Sequence, residues 1–217
     1  MGSMVSAVVF DVGETLLDDS REWRAWADWV GVSPHTFSTV LGAVTAAGRD
    51  NAETFEYFRP GFDLARERQL REEAGRGEQI DNSDLYPDVR PSLAALRAGG
   101  LWVGIAGNQT PRAAQLLRAL DLPVDYVGTS GEWGVAKPNP GFFERVVQVA
   151  PCPADQIVYV GDHRDNDVLP AKAAGLRTAL IRRGPWGYLW ADDPMTRENA
   201  DWVIDSLAEL PALLLDQ

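Results

Sequence analysis

Six short apolar stretches recur along the chain: VSAVVF at 5–10, LWVGIA at 101–106, PVDYVG at 123–128, QIVYVG at 156–161, RTALIR at 177–182 and a weaker DWVI at 201–204. Each is almost continuously hydrophobic instead of alternating, the pattern of strands buried on both faces of a parallel sheet. Parallel strands need long crossovers, and the intervening segments read as helices. Thr110-Pro111 and Asn139-Pro140 each set a capping side chain before a proline at the first helical position. Leu116, Leu117 and Leu120 follow the first, and Phe143, Val146 and Val147 the second, at helical spacing. Gly99-Gly100 and Gly175 supply stops. This alternation predicts an α/β fold, a doubly wound parallel sheet of Rossmann-like type.

The alternation breaks between residues 17 and 85, which hold no convincing strand. Residues 1–16 and 86–217 therefore form the expected core domain, and 17–85 a helical insertion after the first strand. Trp23, Trp26, Trp29 and Val30 share one helical face. Ser33-Pro34 opens a second helix carrying Phe37, Val40, Leu41 and Val44 and ended by Gly48; a charged helix spans 64–74. The stretch EAGRGEQIDNSD at 73–84 reads as an exposed return. An insertion at this point lies over the carboxyl ends of the strands, where open α/β sheets bind ligands. The tryptophans fit the insertion's own core better than a pocket lining.

With 217 residues, 45% of them hydrophobic, the chain has enough apolar material for one large domain or a core with a smaller insertion. Its net charge of −12 is spread along the chain and offers no basic patch, which argues against nucleic acid and anionic membranes as partners. Cys152 is the single cysteine, so no intrachain disulfide can form, and a reducing, cytoplasmic setting is expected. No apolar run approaches the ~20 residues of a membrane span and no leader pattern is present. The opening MGSM reads as an expression scar ahead of a natural Met4. A monomer or homodimer is expected.

Four stretches carry chemistry: FDVGETL at 10–16, GIAGN at 104–108, AKPNPGFF at 136–143 and VGDHRDNDVLPAKAAG at 160–175. In order and spacing they span most of the chain, and together they make it resemble the haloacid dehalogenase (HAD) superfamily of hydrolases, with the insertion matching that family's small helical cap. The resemblance implies that Asp11 is a nucleophile forming an aspartyl-phosphate, which divides a hard hydrolysis into two easier steps. It implies Mg²⁺ held by Asp11, the backbone carbonyl of Gly13 and Asp162, with Asp167 as a direct or outer ligand; carboxylate and carbonyl oxygens suit that hard cation. Lys137, one of only two lysines beside eighteen arginines, falls where the family places a phosphate-neutralising ammonium. Lys172 reads as a surface residue. Gly107 and Asn108 fall where the family binds phosphoryl oxygens, through backbone N–H groups and the Asn108 side chain.

Two positions depart from the family's phosphatases. Gly13 replaces the carboxylate that protonates the leaving oxygen and then activates water, a function worth ~10²–10⁴-fold. Gly107 replaces a hydroxyl residue whose hydrogen bond to a charged group is worth roughly 1.5–3 kcal/mol. Glu14 and His163 are the candidates to replace the lost acid, although Glu14 reads better as a surface or cap-contacting residue and the family tolerates varied residues at the position of His163; the arginines of RRGPWG at 182–187 could meet an anion or close the core. The expectation is a Mg²⁺-dependent phosphohydrolase of a small phosphorylated metabolite, weakened by these changes and most tolerant of good leaving groups such as acyl phosphates. A non-catalytic ligand- or protein-binding member and a metal-free 2-haloacid dehalogenase are the alternatives. The GDxxxxD run, which the dehalogenases usually lack, weighs against the last.

Overall fold

The computed structural model describes residues 4–215; residues 1–3 of the suspected expression scar lie outside them. The strands are β1 (Ala7–Phe10), β2 (Trp102–Gly107), β3 (Tyr126–Thr129), β4 (Ile157–Gly161), β5 (Arg177–Ile181) and β6 (Trp202–Ile204). They form one sheet in the order β3-β2-β1-β4-β5-β6, with every neighbouring pair parallel. Every residue of the central β1 and β4 is buried, which is why their sequences show no alternation. The fold is the Rossmann-like α/β architecture that the apolar runs predict.

The winding reverses between β1 and β4, and open α/β sheets form their ligand crevice at such a point. Phe10 pairs with Ile105 on β2 and Val160 on β4. Asp11 is thus the first residue beyond the ladder, its N–H still donating to the Val160 carbonyl at 2.8 Å. The helix caps form as their sequences suggest. Thr110 Oγ1 accepts from the Ala113 N–H at 3.0 Å, and Asn139 Oδ1 from that of Gly141 at 2.9 Å. Phe142, Phe143 and Val146 of the helix Pro140–Val149 pack in one buried cluster with Val9, Ile157 and Tyr159. Among the described residues no helix is long and apolar enough to cross a membrane.

The chain divides into two compact units, one formed by 1–18 with 81–217 and the other by 19–80. The second contains helices Ser20–Val30, Pro34–Ala46 and Leu64–Glu73. It also contains a 3₁₀ segment, Asn51–Tyr57, opened by a reciprocal capping box between Asp50 and Glu53. The D-x-x-E spacing is a local signal for such a start, but no helical periodicity follows it to mark an element. Trp26, Ala27, Phe37 and Phe55 form the unit's buried core. Trp26 meets Phe55 edge-on at 4.9 Å, and Trp23 stacks on Phe37 at 5.9 Å. The tryptophan face is therefore internal packing of this unit.

The stretch 73–84 is not wholly an exposed return. Asp81 and Asp84 form a reciprocal capping box around the short turn Asn82–Asp84. Asp84 is buried, and its carbonyl accepts from the Asp18 N–H at 2.8 Å. Its end therefore belongs to the sheet-bearing unit.

Phe55 is fully enclosed by rings. Phe55→Ala is expected to destabilise the helical unit by about 3–5 kcal/mol. Hydrogen exchange should accelerate across 19–80, with protection in β1 and β4 retained.

Candidate active site

Four charged side chains from three separate segments converge where β1 and β4 end. Asp11 follows β1, Asp162 follows β4, Asp167 lies on the π-helical turn Arg164–Val168, and Lys137 lies on the loop before the Pro140–Val149 helix. All four are buried. Lys137 Nζ lies 2.6 Å from Asp11 Oδ1 and 2.6 Å from Asp167 Oδ1. Asp11, Asp162 and Asp167 each present a carboxylate oxygen within 4.8 Å of the others.

Asp167 is held by His163, whose N–H donates to Asp167 Oδ2 at 2.9 Å and whose carbonyl accepts from the Asp167 N–H at 2.8 Å. Gly161 makes room for that carboxylate, since a Cβ there would come within 2.2 Å of Asp167 Oδ2. Gly107 stands in the same relation to the nucleophile candidate, with an added Cβ 2.7 Å from Asp11 Oδ1. A Ser or Thr at 107 would therefore displace Asp11 from this position.

Three carboxylates and one ammonium leave the cluster two negative charges in excess, and burial makes that excess costly. Burial raises the Asp11 carboxyl to about 6, against the attraction of Lys137 and with reinforcement from Asp167. Burial and the neighbouring Asp167 and Asp11 raise the Asp162 carboxyl well above the usual carboxylate range. Asp162 Oδ2 is buried without a hydrogen-bond partner. An orphaned buried oxygen, an all-oxygen donor set and a surplus of negative charge fit a hard divalent cation. Lys137 stays protonated: Asp11 and Asp167 outweigh the burial that opposes its charge.

The side-chain amide of Asn108 braces the backbone of Lys137, accepting from its N–H at 2.8 Å and donating to its carbonyl at 2.9 Å. Asn108 thus braces the lysine loop.

Glu14 has a left-handed backbone, φ 53°, and accepts the Tyr86 hydroxyl at 2.6 Å. His163 Nδ1 accepts the N–H groups of Asp165 and Asn166 at 3.2 and 3.1 Å, so it caps the π-helical turn. The ring packs 4.3 Å from Trp186 and 4.9 Å from Trp190. Burial, with Lys137 adding to it, lowers the His163 imidazole to about 4. Arg183 closes the core by donating to the Thr15 carbonyl at 2.8 Å and pairing with Asp88. Lys172 pairs at the surface with Asp201 at 2.8 Å.

A family model described as haloacid dehalogenase-like hydrolase matches residues 5–175, and the chain belongs to that family. It is 31% identical over 136 residues to haloacid dehalogenase-like hydrolase domain-containing protein 3 of Danio rerio, covering 62% of this chain and 54% of that protein. It is 35% identical over 128 residues to the glyceraldehyde 3-phosphate phosphatase of Methanocaldococcus jannaschii, covering 58% and 54%. The chain thus spans about half the length of these curated relatives. Its fold resembles the magnesium-bound HAD-hydrolase YfnB of Bacillus subtilis with a TM-score of 0.72, over 98% of this chain and 99% of that one, at 19% identity. Further relatives include a protein named phosphoglycolate phosphatase from Haemophilus influenzae, 29% identical over 143 residues.

The sign of the electrostatics is testable. Asp11 titrates near 6 when folded and near 3.8 otherwise, so the metal-free folded chain holds an extra proton between those values. Its contribution to stability is complete on the acid side and lost as pH rises through about 6. At neutral pH, Asp162→Asn is expected to raise the Tm of metal-free protein by a few degrees and to remove the stabilisation that Mg²⁺ gives. Thermal unfolding with and without Mg²⁺ reads both.

Proposed function

We propose that this chain is a Mg²⁺-dependent phosphohydrolase acting on a small phosphorylated metabolite, with Asp11 as nucleophile. The observation that carries this reading is the buried meeting of Asp11, Lys137, Asp162 and Asp167 at the switch point of the sheet. One oxygen of Asp11 bonds to phosphorus as the bond from phosphorus to the leaving oxygen breaks and that group departs, giving an aspartyl-phosphate that water then hydrolyses to restore the carboxylate and release phosphate. Lys137 lowers the repulsion between that carboxylate and the incoming phosphoryl group, and Asn108 fixes the lysine's main chain. Backbone N–H groups around Gly107 and Asn108 receive phosphoryl oxygens. Asp11, Asp162, the Gly13 carbonyl and Asp167 would hold Mg²⁺, which supplies charge neutralisation at the phosphoryl oxygens when bound.

Relatives named for phosphoglycolate, glyceraldehyde 3-phosphate and ribulose-1,5-bisphosphate support the small-metabolite class. The three-carboxylate cluster also separates this reading from halide displacement, which needs no metal.

A panel of phosphate esters and acyl phosphates is expected to give phosphate release that EDTA abolishes. Asp11→Asn should lower it by about 10³-fold or more, with the fold intact by circular dichroism. Unchanged turnover in that variant, or halide release without Mg²⁺, overturns the reading.

A further inference from the structure

Glycine at 13 constrains the substrate if no other group of the sheet-bearing unit donates a proton to the leaving oxygen. Four groups border the cluster, the first being Tyr159, whose buried hydroxyl donates to the Ala106 carbonyl at 2.7 Å. Glu14 accepts from Tyr86 at 2.6 Å, and its stem packs on Gly184, where an added Cβ would meet Glu14 Cγ at 2.5 Å. Its main chain is also fixed, the N–H donating to the Leu17 carbonyl at 2.7 Å. His163 Nδ1 accepts two backbone N–H groups, and its ring is wedged against Trp186 and Trp190. Lys137 Nζ is occupied by Asp11 and Asp167. Each candidate acid already has structural work at a different atom.

Building on the phosphohydrolase reading, we infer that the leaving group departs from phosphorus unprotonated, so that the substrates are acyl phosphates or phosphoanhydrides and not alkyl monoesters. In the first step an Asp11 oxygen bonds to phosphorus, the bond from phosphorus to the leaving oxygen breaks, and the electron pair stays on that oxygen. A carboxylate or phosphate anion accepts that pair readily, whereas an alkoxide needs a proton. In the second step water attacks the aspartyl-phosphate, the pair of the breaking bond returns to Asp11, and the water proton passes to solvent. With no side-chain base at 13 this step is slow, and the aspartyl-phosphate accumulates. The chain is thereby set apart from the alkyl monoester for which its glyceraldehyde 3-phosphate phosphatase relatives are named.

The test compares acetyl phosphate, a series of aryl phosphates and glycerol 3-phosphate on the Mg²⁺-loaded full chain. Acetyl phosphate should exceed glycerol 3-phosphate in kcat/KM by about 10²-fold or more, and the aryl series should fall steeply as the phenol becomes more basic. Mass spectrometry of protein quenched in acid during turnover should find a phosphoryl group on Asp11. Gly13→Asp should flatten the series by raising the poor substrates selectively; should that variant not fold, the wild-type slope and the trapped phosphoryl group decide. Comparable turnover of glycerol 3-phosphate, or a shallow aryl series, overturns this inference and leaves the nucleophile standing. Absence of any Asp11-dependent turnover overturns both.

Discussion

The Lys137 ammonium lies within hydrogen-bond distance of carboxylates from β1 and from the turn after β4, and the carboxyl edge of the sheet is organised around it. An ammonium so deeply buried is tolerable only because two anions face it, and those anions are tolerable only because it is there. Oδ2 of the third carboxylate, Asp162, is buried without a hydrogen-bond partner among the described residues. The protein alone therefore neutralises only part of the charge it gathers. Sites that bind and release an ion have this character, whereas structural ion pairs are closed within themselves. Asn108 completes the arrangement by holding the lysine's backbone from the end of β2.

Close packing accounts for two glycines at the strand ends. Gly161 and Gly107 each border a carboxylate oxygen so tightly that a methyl group would collide with it. At 161 the absent side chain lets Asp167 lie against the end of β4 and reach both Lys137 and the His163 N–H. At 107 it lets Asp11 approach the end of β2. A side chain at 107 and the observed placement of Asp11 could coexist only if one of them shifted.

The sheet was legible because a strand buried on both faces must be apolar at every position, and short β-branched runs such as VVF and IVYV suit that environment above any other. The helix starts were legible because capping is local chemistry, contained in four residues. The convergence of Asp11, Lys137, Asp162 and Asp167 could be expected only through motif resemblance, since no local rule joins residues separated by up to 156 positions. What stayed hidden are side-chain directions set by tertiary partners. Asn108 turns to the Lys137 backbone, Glu14 to Tyr86, and His163 to the N–H groups of its own turn. Arg183 finds Thr15 and Asp88 from the far end of the chain. Each is a polar group choosing among several partners, and a one-dimensional pattern does not encode that choice.

The opening motif also shows how separable its duties are. The contact assigned to position 13 toward a metal is a main-chain carbonyl, which every residue type supplies, whereas proton transfer at the same position needs a side chain. Glycine there removes the second duty and spares the first, and the remaining acids do not move to replace it. Glu14 and His163 are each held by at least two contacts, and the Asp167 backbone itself hangs on His163. Recruiting His163 as an acid would release the turn that carries Asp167, exchanging a proton for part of the charge cluster. Under the proposed function, a nucleophile, a neutralising lysine and a cation site would persist without an acid, and the basicity of the group that must leave would limit the chemistry.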